Sequence, residues 1–393
     1  MQIPLVKNSF RHEFEVKKEL AKFVLSANRF SMGDQCLGYE REYSQFQGCE
    51  FTTFFNSGSS ANLALLQALI NLGRLRPGDK IGFSALTWAT NVMPIIQLGL
   101  QPIPVDIDLV TLNVSSINLE KVIKQHPDLK AFFTTNVLGF CGDLDIIAEV
   151  CNSKNILFIE DNCESFGSQF KGKNLGNFGL ASTCSSFVGH HLSTIEGGVV
   201  CTNDSDLSDA LIIVRAHGWS RGLSGEKRLE LQKTYDVDPF YSAYTFFELG
   251  YNLRPTEING FIGRHQLKFA KEIISERAMN FHQFHDKAKK NPDILSLNLD
   301  YMDLISNFAF PLIFKDKQKF LLYKDRFIRA SVEIRPIIGG NMTRQPFYQK
   351  YGGLSANLPN ADLAHENGFY FPNHDSFNLK EIEHILNQLS HEV

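Results

Sequence analysis

Ser185-Ser186-Phe187-Val188-Gly189-His190-His191-Leu192-Ser193-Thr194-Ile195-Glu196-Gly197-Gly198 places two adjacent histidines between an apolar run with small hydroxyls and an acidic residue followed by two glycines. The flanks, Ala181 to Phe187 and Gly198 to Thr202, read as strands, so the histidines fall in an exposed loop at a strand end. Loops at strand ends are where α/β scaffolds present their chemistry. Taken alone, the pair reads first as two solvated imidazoles, because only a minority of histidines are catalytic. The surrounding chain decides between the two.

Upstream of the loop, short apolar runs alternate with helical patterns. Phe51 to Phe55, Ile81 to Leu86, Pro102 to Ile107, Leu129 to Val137 and Ile156 to Ile159 read as strands. Ala61 to Ile70 is apolar nearly all round and reads as a buried helix. Ala89 to Gln97, Ile117 to Gln125, Leu144 to Cys151 and Leu207 to Val214 read as further helices. The continuous apolar strand Ile156 to Ile159 fits a sheet covered on both faces. This alternation predicts an α/β fold with a mostly parallel central sheet flanked by helices. After residue 220 charged helices (Phe261 to Ala278, Phe281 to Lys290) lead to strand-like runs at Phe308 to Phe314 and Val332 to Ile338, then helices at Ala361 to Glu366 and Leu379 to Leu389. That pattern predicts a smaller α+β unit. We divide the chain into an N-terminal segment, 1–30, packing on the small unit, a large α/β unit, 31–270, and the small C-terminal unit, 271–393.

The chain has 393 residues, 43% hydrophobic and 21% charged, with a formal charge of −4. These values suit an ordered globular protein and give no electrostatic footprint for nucleic acid or anionic membrane. No apolar run approaches the roughly 20 residues needed to cross a bilayer. Met1 to Lys7 lacks the apolar core of a signal peptide, and the seven cysteines form no CxxC pair, as expected of free thiols in a cytoplasmic protein. No metal-ligand spacing is visible.

Three further clusters sit at strand ends. Asn56-Ser57-Gly58-Ser59-Ser60 closes a strand and opens the buried helix. Gly58 permits an unusual backbone angle, and the free amides and hydroxyls form an anion cradle of the phosphate-binding type, or a plain serine N-cap. Trp88, one of two tryptophans, ends the next strand, where it serves as core or stacks on a ring-shaped cofactor. Asp161, in Glu160-Asp161-Asn162-Cys163-Glu164, closes a buried strand. A carboxylate there needs a partner, such as a protonated ring nitrogen, a structural cation or a helix N-terminus.

In order and spacing these clusters resemble the DegT-type family of sugar-nucleotide aminotransferases, pyridoxal-phosphate proteins of fold type I. The resemblance runs through most of the chain. It takes in Gly58-Ser59-Ser60, Thr87-Trp88-Ala89-Thr90, Glu160-Asp161, the Ser185 loop, Arg215-Ala216-His217-Gly218, Gly250-Tyr251-Asn252-Leu253-Arg254 and Gln266-Leu267. It implies that Gly58, Ser59, Ser60 and Ser185 hold the cofactor phosphate, that Trp88 stacks on the pyridine ring, and that Asp161 pairs with its nitrogen. It implies that Glu164 touches the cofactor, and that Asn252 reaches the phosphate from a partner subunit in a homodimer with shared active sites. For the substrate, His217, Arg221 and Arg254 are expected at the sugar or diphosphate, and Arg335 and Arg344 at the nucleotide, since arginine suits bidentate phosphate binding. The alternative for each arginine is a surface ion pair.

One departure is informative. The family places a cofactor-linking lysine five residues after that serine, and here the position is His190. No lysine occurs between Lys173 and Lys227. Imidazole has no primary amine, so the cofactor is held without a covalent bond. The swap is similar to the histidine-bearing 3-dehydratase branch of the family, nearest to enzymes acting on GDP-4-keto-6-deoxy-mannose in colitose formation. Glu164, where ordinary members usually carry glutamine, supports that branch. The resemblance implies a lyase using pyridoxamine phosphate, glutamate as amino donor, and His190 as the base. Histidine can take and return a proton near neutral pH. His191 gains no role beyond shaping the loop. Two alternatives are a CDP-linked substrate, suggested by Gly340-Asn341-Met342-Thr343-Arg344-Gln345-Pro346, and an aminotransferase-like protein without a catalytic lysine. The CDP branch carries an iron–sulfur cluster, and with Cys201 as the last cysteine we expect none here.

Overall fold

A computed structural model describes residues 2–353 and 356–391. A seven-stranded sheet runs in the order Phe51–Phe55, Gly198–Thr202, Ala181–Ser185, Leu157–Asp161, Leu129–Thr135, Lys80–Ser84, Gln101–Val105. The neighbours from Ala181–Ser185 to Gln101–Val105 pair in parallel. Gly198–Thr202 runs antiparallel to both of its neighbours. Leu157, Phe158 and Ile159 stack between covered faces, and the strand ends in the buried carboxylates Glu160 and Asp161. A three-stranded antiparallel sheet of Ala309–Ile313, Gly368–Pro372 and Arg335–Pro336 lies in the C-terminal part.

The apolar helix opens earlier than its hydrophobic run. It spans Gly58–Asn71, and Ser57 caps it by accepting from the Ser60 N–H at 3.0 Å. Ala89 to Gln97 is not one helix: a 3-10 turn at Ala89–Asn91 precedes a short helix at Met93–Gln97, which begins just before Pro94. The two charged helices of the sequence reading are also drawn differently. They form Glu257–Leu267 and Ala270–Ala288, broken at Lys268 and Phe269. Val332 to Ile338 keeps only the two-residue strand Arg335–Pro336. The helices Asp34–Gln47, Gly225–Thr234, Lys317–Arg329 and Pro346–Tyr351 had no counterpart in the sequence reading.

The chain start divides between two neighbours. Ile3 pairs with Val332, the Leu5 N–H donates to Glu333 at 2.8 Å, and Lys7 meets Glu381 at 2.7 Å, all in the C-terminal part. The helix Glu13–Ser26 instead lies on Glu257–Leu267, with Phe23 and Phe261 stacked 4.7 Å apart. Residues 5 and 6 thereby reach the rim of the main cleft.

The histidine loop is tied down rather than free. The Ser186 N–H donates to Gly197 O at 2.9 Å and the Thr194 N–H to Ser186 O at 2.8 Å. From the helix Glu257–Leu267, the Asn259 amide donates to Thr194 O and Glu196 O at 2.9 and 3.0 Å. This loop therefore presents its side chains from a fixed backbone.

Candidate active site

A cleft of about 560 Å³ opens at the C-terminal ends of the parallel strands and is roofed by the small sheet. Its wall at one end is the junction of Ser57-Gly58-Ser59 with Ser185. Gly58 is required for closeness rather than for an unusual φ. A Cβ there would stand 2.6 Å from the Ser185 Cβ, and a Cβ on Gly198 would stand 2.5 Å from Gly58 N. Bare backbone at a helix start, flanked by Ser59 and Ser185, leaves N–H groups and hydroxyls facing one spot, a geometry suited to a phosphate. Ser60 is turned away from that spot: its hydroxyl accepts from the Ser57 hydroxyl at 2.9 Å, and Ser57 takes its place on the wall.

At the floor Asp161 is 3% exposed and collects three donors. Its Oδ2 accepts from the Asn62 amide at 3.1 Å and the Asn91 amide at 2.7 Å, and its Oδ1 from the Cys163 N–H at 2.8 Å. Among the described residues no cation pairs with it, so a protonated ring nitrogen fits the lone-pair capacity that remains. Asn62 and Asn91 escaped the sequence reading. For Asn62, a polar residue one position into the mostly apolar run Ala61 to Ile70 was the available signal. Trp88 lines the cleft and is 56% exposed.

Glu164 faces the cleft with its Oε2 accepting from the Leu138 N–H at 2.8 Å. Burial, reinforced by the charge of Asp161, pushes its carboxyl up to about 8, so it is largely protonated at neutral pH. The neighbouring Glu160 has a different task. It is fully buried and accepts from Asn136, Gly176, Phe178 and Gly179, tying a loop to the sheet.

The two histidines part company. His190 lines the cleft, its ring 5.3 Å from that of Phe308, and its Nδ1 is buried without a hydrogen bond. Nε2 is then the nitrogen open to the cleft. Burial, with help from the Arg277 guanidinium, pushes the imidazole down to about 4 and keeps it neutral at physiological pH. His191 is 5% exposed, packs beside Phe308 and Phe166, and donates from Nε2 to Ser306 O at 2.8 Å.

The expected substrate contacts are scattered. Arg335 lines the mouth of the cleft in an ion pair with Glu333. Arg344 lies outside it, on a separate cavity of about 520 Å³, paired with Glu366 at 2.5 Å and Asp362 at 3.3 Å. His217, Arg221 and Arg254 surround Trp219 instead: the His217 ring is 5.0 Å from it, and the guanidinium carbons of Arg221 and Arg254 lie 4.0 and 5.4 Å from its centre. Asn252 is exposed beside them and accepts from Arg254 at 3.0 Å. None of these four lines the cleft of its own chain. Arg277, Phe308, Tyr370 and Asn373, unmarked in the sequence, complete the wall.

The profile of the DegT/DnrJ/EryC1/StrS aminotransferase family matches residues 12–390. A GDP-4-keto-6-deoxy-D-mannose 3-dehydratase of Escherichia coli O55:H7 is 35% identical over 375 residues, covering 92% of this chain and 93% of that protein. Among solved structures, the E. coli GDP-4-keto-6-deoxy-D-mannose-3-dehydratase with bound hydrated PLP superposes with a TM-score of 0.89, 32% identity, and coverage of 99% of this chain and 100% of that one. A GDP-4-keto-6-deoxymannose-3-dehydratase with a trapped PLP-glutamate geminal diamine gives 0.88, with 31% identity and the same coverage. The phosphate cradle, the buried carboxylate and these matches lead to one conclusion: the chain belongs to the DegT/DnrJ/EryC1/StrS aminotransferase family, on the fold type I scaffold of pyridoxal-phosphate enzymes.

Proposed function

We propose that this protein is a pyridoxamine-phosphate-dependent 3-dehydratase of a nucleotide-linked 4-keto-6-deoxyhexose, acting on GDP-4-keto-6-deoxy-mannose with glutamate as amino donor. The observation that carries the reading is His190: a neutral imidazole faces the cleft where other family members place a lysine, opposite an anion cradle and a buried aspartate.

Bound in this cleft, pyridoxamine phosphate supplies a primary amine for the sugar ketone and a ring that accepts electrons. The residues divide the remaining work. Ser59, Ser185 and the amides at Gly58 bind the phosphate. Asp161, held by Asn62 and Asn91, would pair with the ring N–H of the bound cofactor. Trp88 would stack on the ring, and Glu164, while protonated, could donate a hydrogen bond to it. With the cofactor bound, His190 Nε2 would be the base that takes up a proton as the C3 hydroxyl of the sugar is lost and returns one to the leaving oxygen, which would depart as water. Because His190 lacks an amine, it moves that proton without competing for the cofactor. The amine of the cofactor would come from glutamate, which would leave as 2-oxoglutarate. Arg335, at the mouth, is the cleft cation placed to meet the diphosphate.

Assembly as a homodimer belongs to the same proposal. The exposed Phe240, Tyr244, Phe246 and Leu249, close in sequence, support a partner at this segment, and Asn252, His217, Arg221 and Arg254 then enter the partner's site. The division near residue 270, into a large cofactor-holding unit and a small C-terminal one, is supported by the seven-stranded sheet lying before it in the chain and the three-stranded sheet after it. A cytoplasmic setting accords with the nucleotide-sugar substrate. Among the described residues no helix is long and apolar enough to cross a membrane.

The reading is tested by incubating the purified protein with pyridoxal phosphate, glutamate and either GDP- or CDP-4-keto-6-deoxyhexose. Release of ammonia, 2-oxoglutarate and the 3-deoxy ketosugar from the GDP substrate is expected. Formation of a 4-amino sugar, with no ammonia, would show an aminotransferase instead.

A further inference from the structure

Arg277 is a buried cation with no anionic partner. It sits midway along the helix Ala270–Ala288, 3% exposed, yet forms part of the cleft wall beside His190, Phe308 and Asn373. Its Nη1 donates to the carbonyls of Phe308 (2.9 Å), Asn307 (3.5 Å) and Asn373. Nε is buried without a partner, and Nη2 carries no hydrogen bond among the described residues. No carboxylate of the described residues lies within ion-pair distance of it. Asp375, the nearest to act on its charge, is paired with Arg11 at 3.3 Å. Burying a guanidinium in this way is costly unless an anion arrives to balance it.

The cleft offers two cations at different depths. Arg335 is exposed at the mouth, where a diphosphate can bind while its nucleoside extends outward. Arg277 is 3% exposed and lines the same cleft as the His190 imidazole, away from open solvent. Among the reactants only the amino donor brings a compact carboxylate to that depth. We propose that Arg277 is the specificity-determining residue for the amino donor, binding one carboxylate of glutamate through Nη2 in the half-reaction that regenerates the amine form. The inference rests on the dehydratase reading. It assigns Arg277 to the glutamate half-reaction and not to loss of the sugar hydroxyl.

The test separates the two half-reactions in the cofactor-loaded protein at pH 8, where His190 is neutral with or without the neighbouring cation. In Arg277→Gln the KM for glutamate should rise about tenfold to a hundredfold, the worth of a charge-assisted bond. With pyridoxamine phosphate supplied directly, kcat/KM for the sugar should change several-fold less. Glutarate, an unreactive dicarboxylate, should bind the loaded wild type by calorimetry and fail to bind the variant. If Arg277→Gln does not fold, Arg277→Lys carries the test. It keeps the charge and loses the fork, so it should raise the KM for glutamate by about tenfold while still binding glutarate weakly. Equal losses in both half-reactions, or an unchanged KM for glutamate with unchanged glutarate binding, would overturn the assignment. Inactivity of the wild type in both half-reactions would instead sink the dehydratase reading and leave the glutarate measurement to judge Arg277.

Discussion

Gly58 and Ser185 approach so closely that a methyl group on Gly58 would stand 2.6 Å from the Ser185 Cβ. The start of the buried helix and the end of the strand Ala181–Ser185 are joined by this contact, and the phosphate cradle exists only while they touch. Gly58→Ala should push them apart, at a cost of about 1–3 kcal/mol in stability as for other overpacked sites. Pyridoxal phosphate affinity should fall at least about tenfold, since displaced donors lose charge-assisted bonds. Thermal unfolding and a cofactor titration by absorbance check both effects.

The neighbouring histidines should fail in different ways. His190→Asn should abolish dehydration and spare cofactor binding. His190→Lys should capture the cofactor covalently, visible by mass spectrometry after borohydride reduction. His191→Asn should leave the chemistry largely intact but destabilise the protein by about 1–3 kcal/mol, because Ser306 O loses its donor in a buried place. A lethal His191→Asn with an active His190→Asn would reverse their assignment.

Two groups give the apo protein opposite pH slopes. His190 sits at about 4 when folded and 6.5 otherwise, so the unfolded chain binds the extra proton between those values. Its contribution is fully present above pH 6.5 and is lost as pH falls toward 4, by up to about 1.4 kcal/mol per pH unit. Glu164 is raised from 4.5 to about 8, so the folded state holds the proton longer. Its contribution is present below pH 4.5 and is lost as pH rises through 8. The two windows oppose each other between pH 4.5 and 6.5, so denaturant melts from pH 4 to 9 should show Glu164→Gln removing the fall in stability between pH 6.5 and 8, and His190→Asn making that fall begin near pH 4.5.

Shared sites predict complementation. His190→Asn and Asn252→Ala homodimers should each be strongly impaired. Mixed after mild dissociation, they should recover up to about a quarter of wild-type activity, because half the dimers are then mixed and each carries one intact site. Absence of any recovery, with mixing confirmed by native mass spectrometry, would place Asn252 in its own chain's site.

The alternating strands and helices up to residue 215 were legible because period and length are local properties. That Asp161 and Ser185 stand at strand ends and face the cleft was legible from the strand pattern. What escaped was set by distant packing. Asn62 and Asn91 matter only because their helix and turn lie under Asp161, 99 and 70 residues away. Arg277 looked like one charge on an amphipathic helix until Asn307, Phe308 and Asn373 closed over it. Ser60 matched the motif, yet the N-cap geometry of Ser57 claims it. The helix break at Phe269 carries no glycine or proline to announce it.

The imidazole at position 190 has a consequence for the living cell. A cleft that grips its cofactor by shape and charge alone releases it by mass action, so the working fraction follows the free concentration of the vitamin-derived ligand. Starving cells of vitamin B6 should therefore unload this enzyme before its lysine-tethered relatives. The emptied chains, without the stabilisation that ligand binding confers, should be the first of the family to unfold on heating.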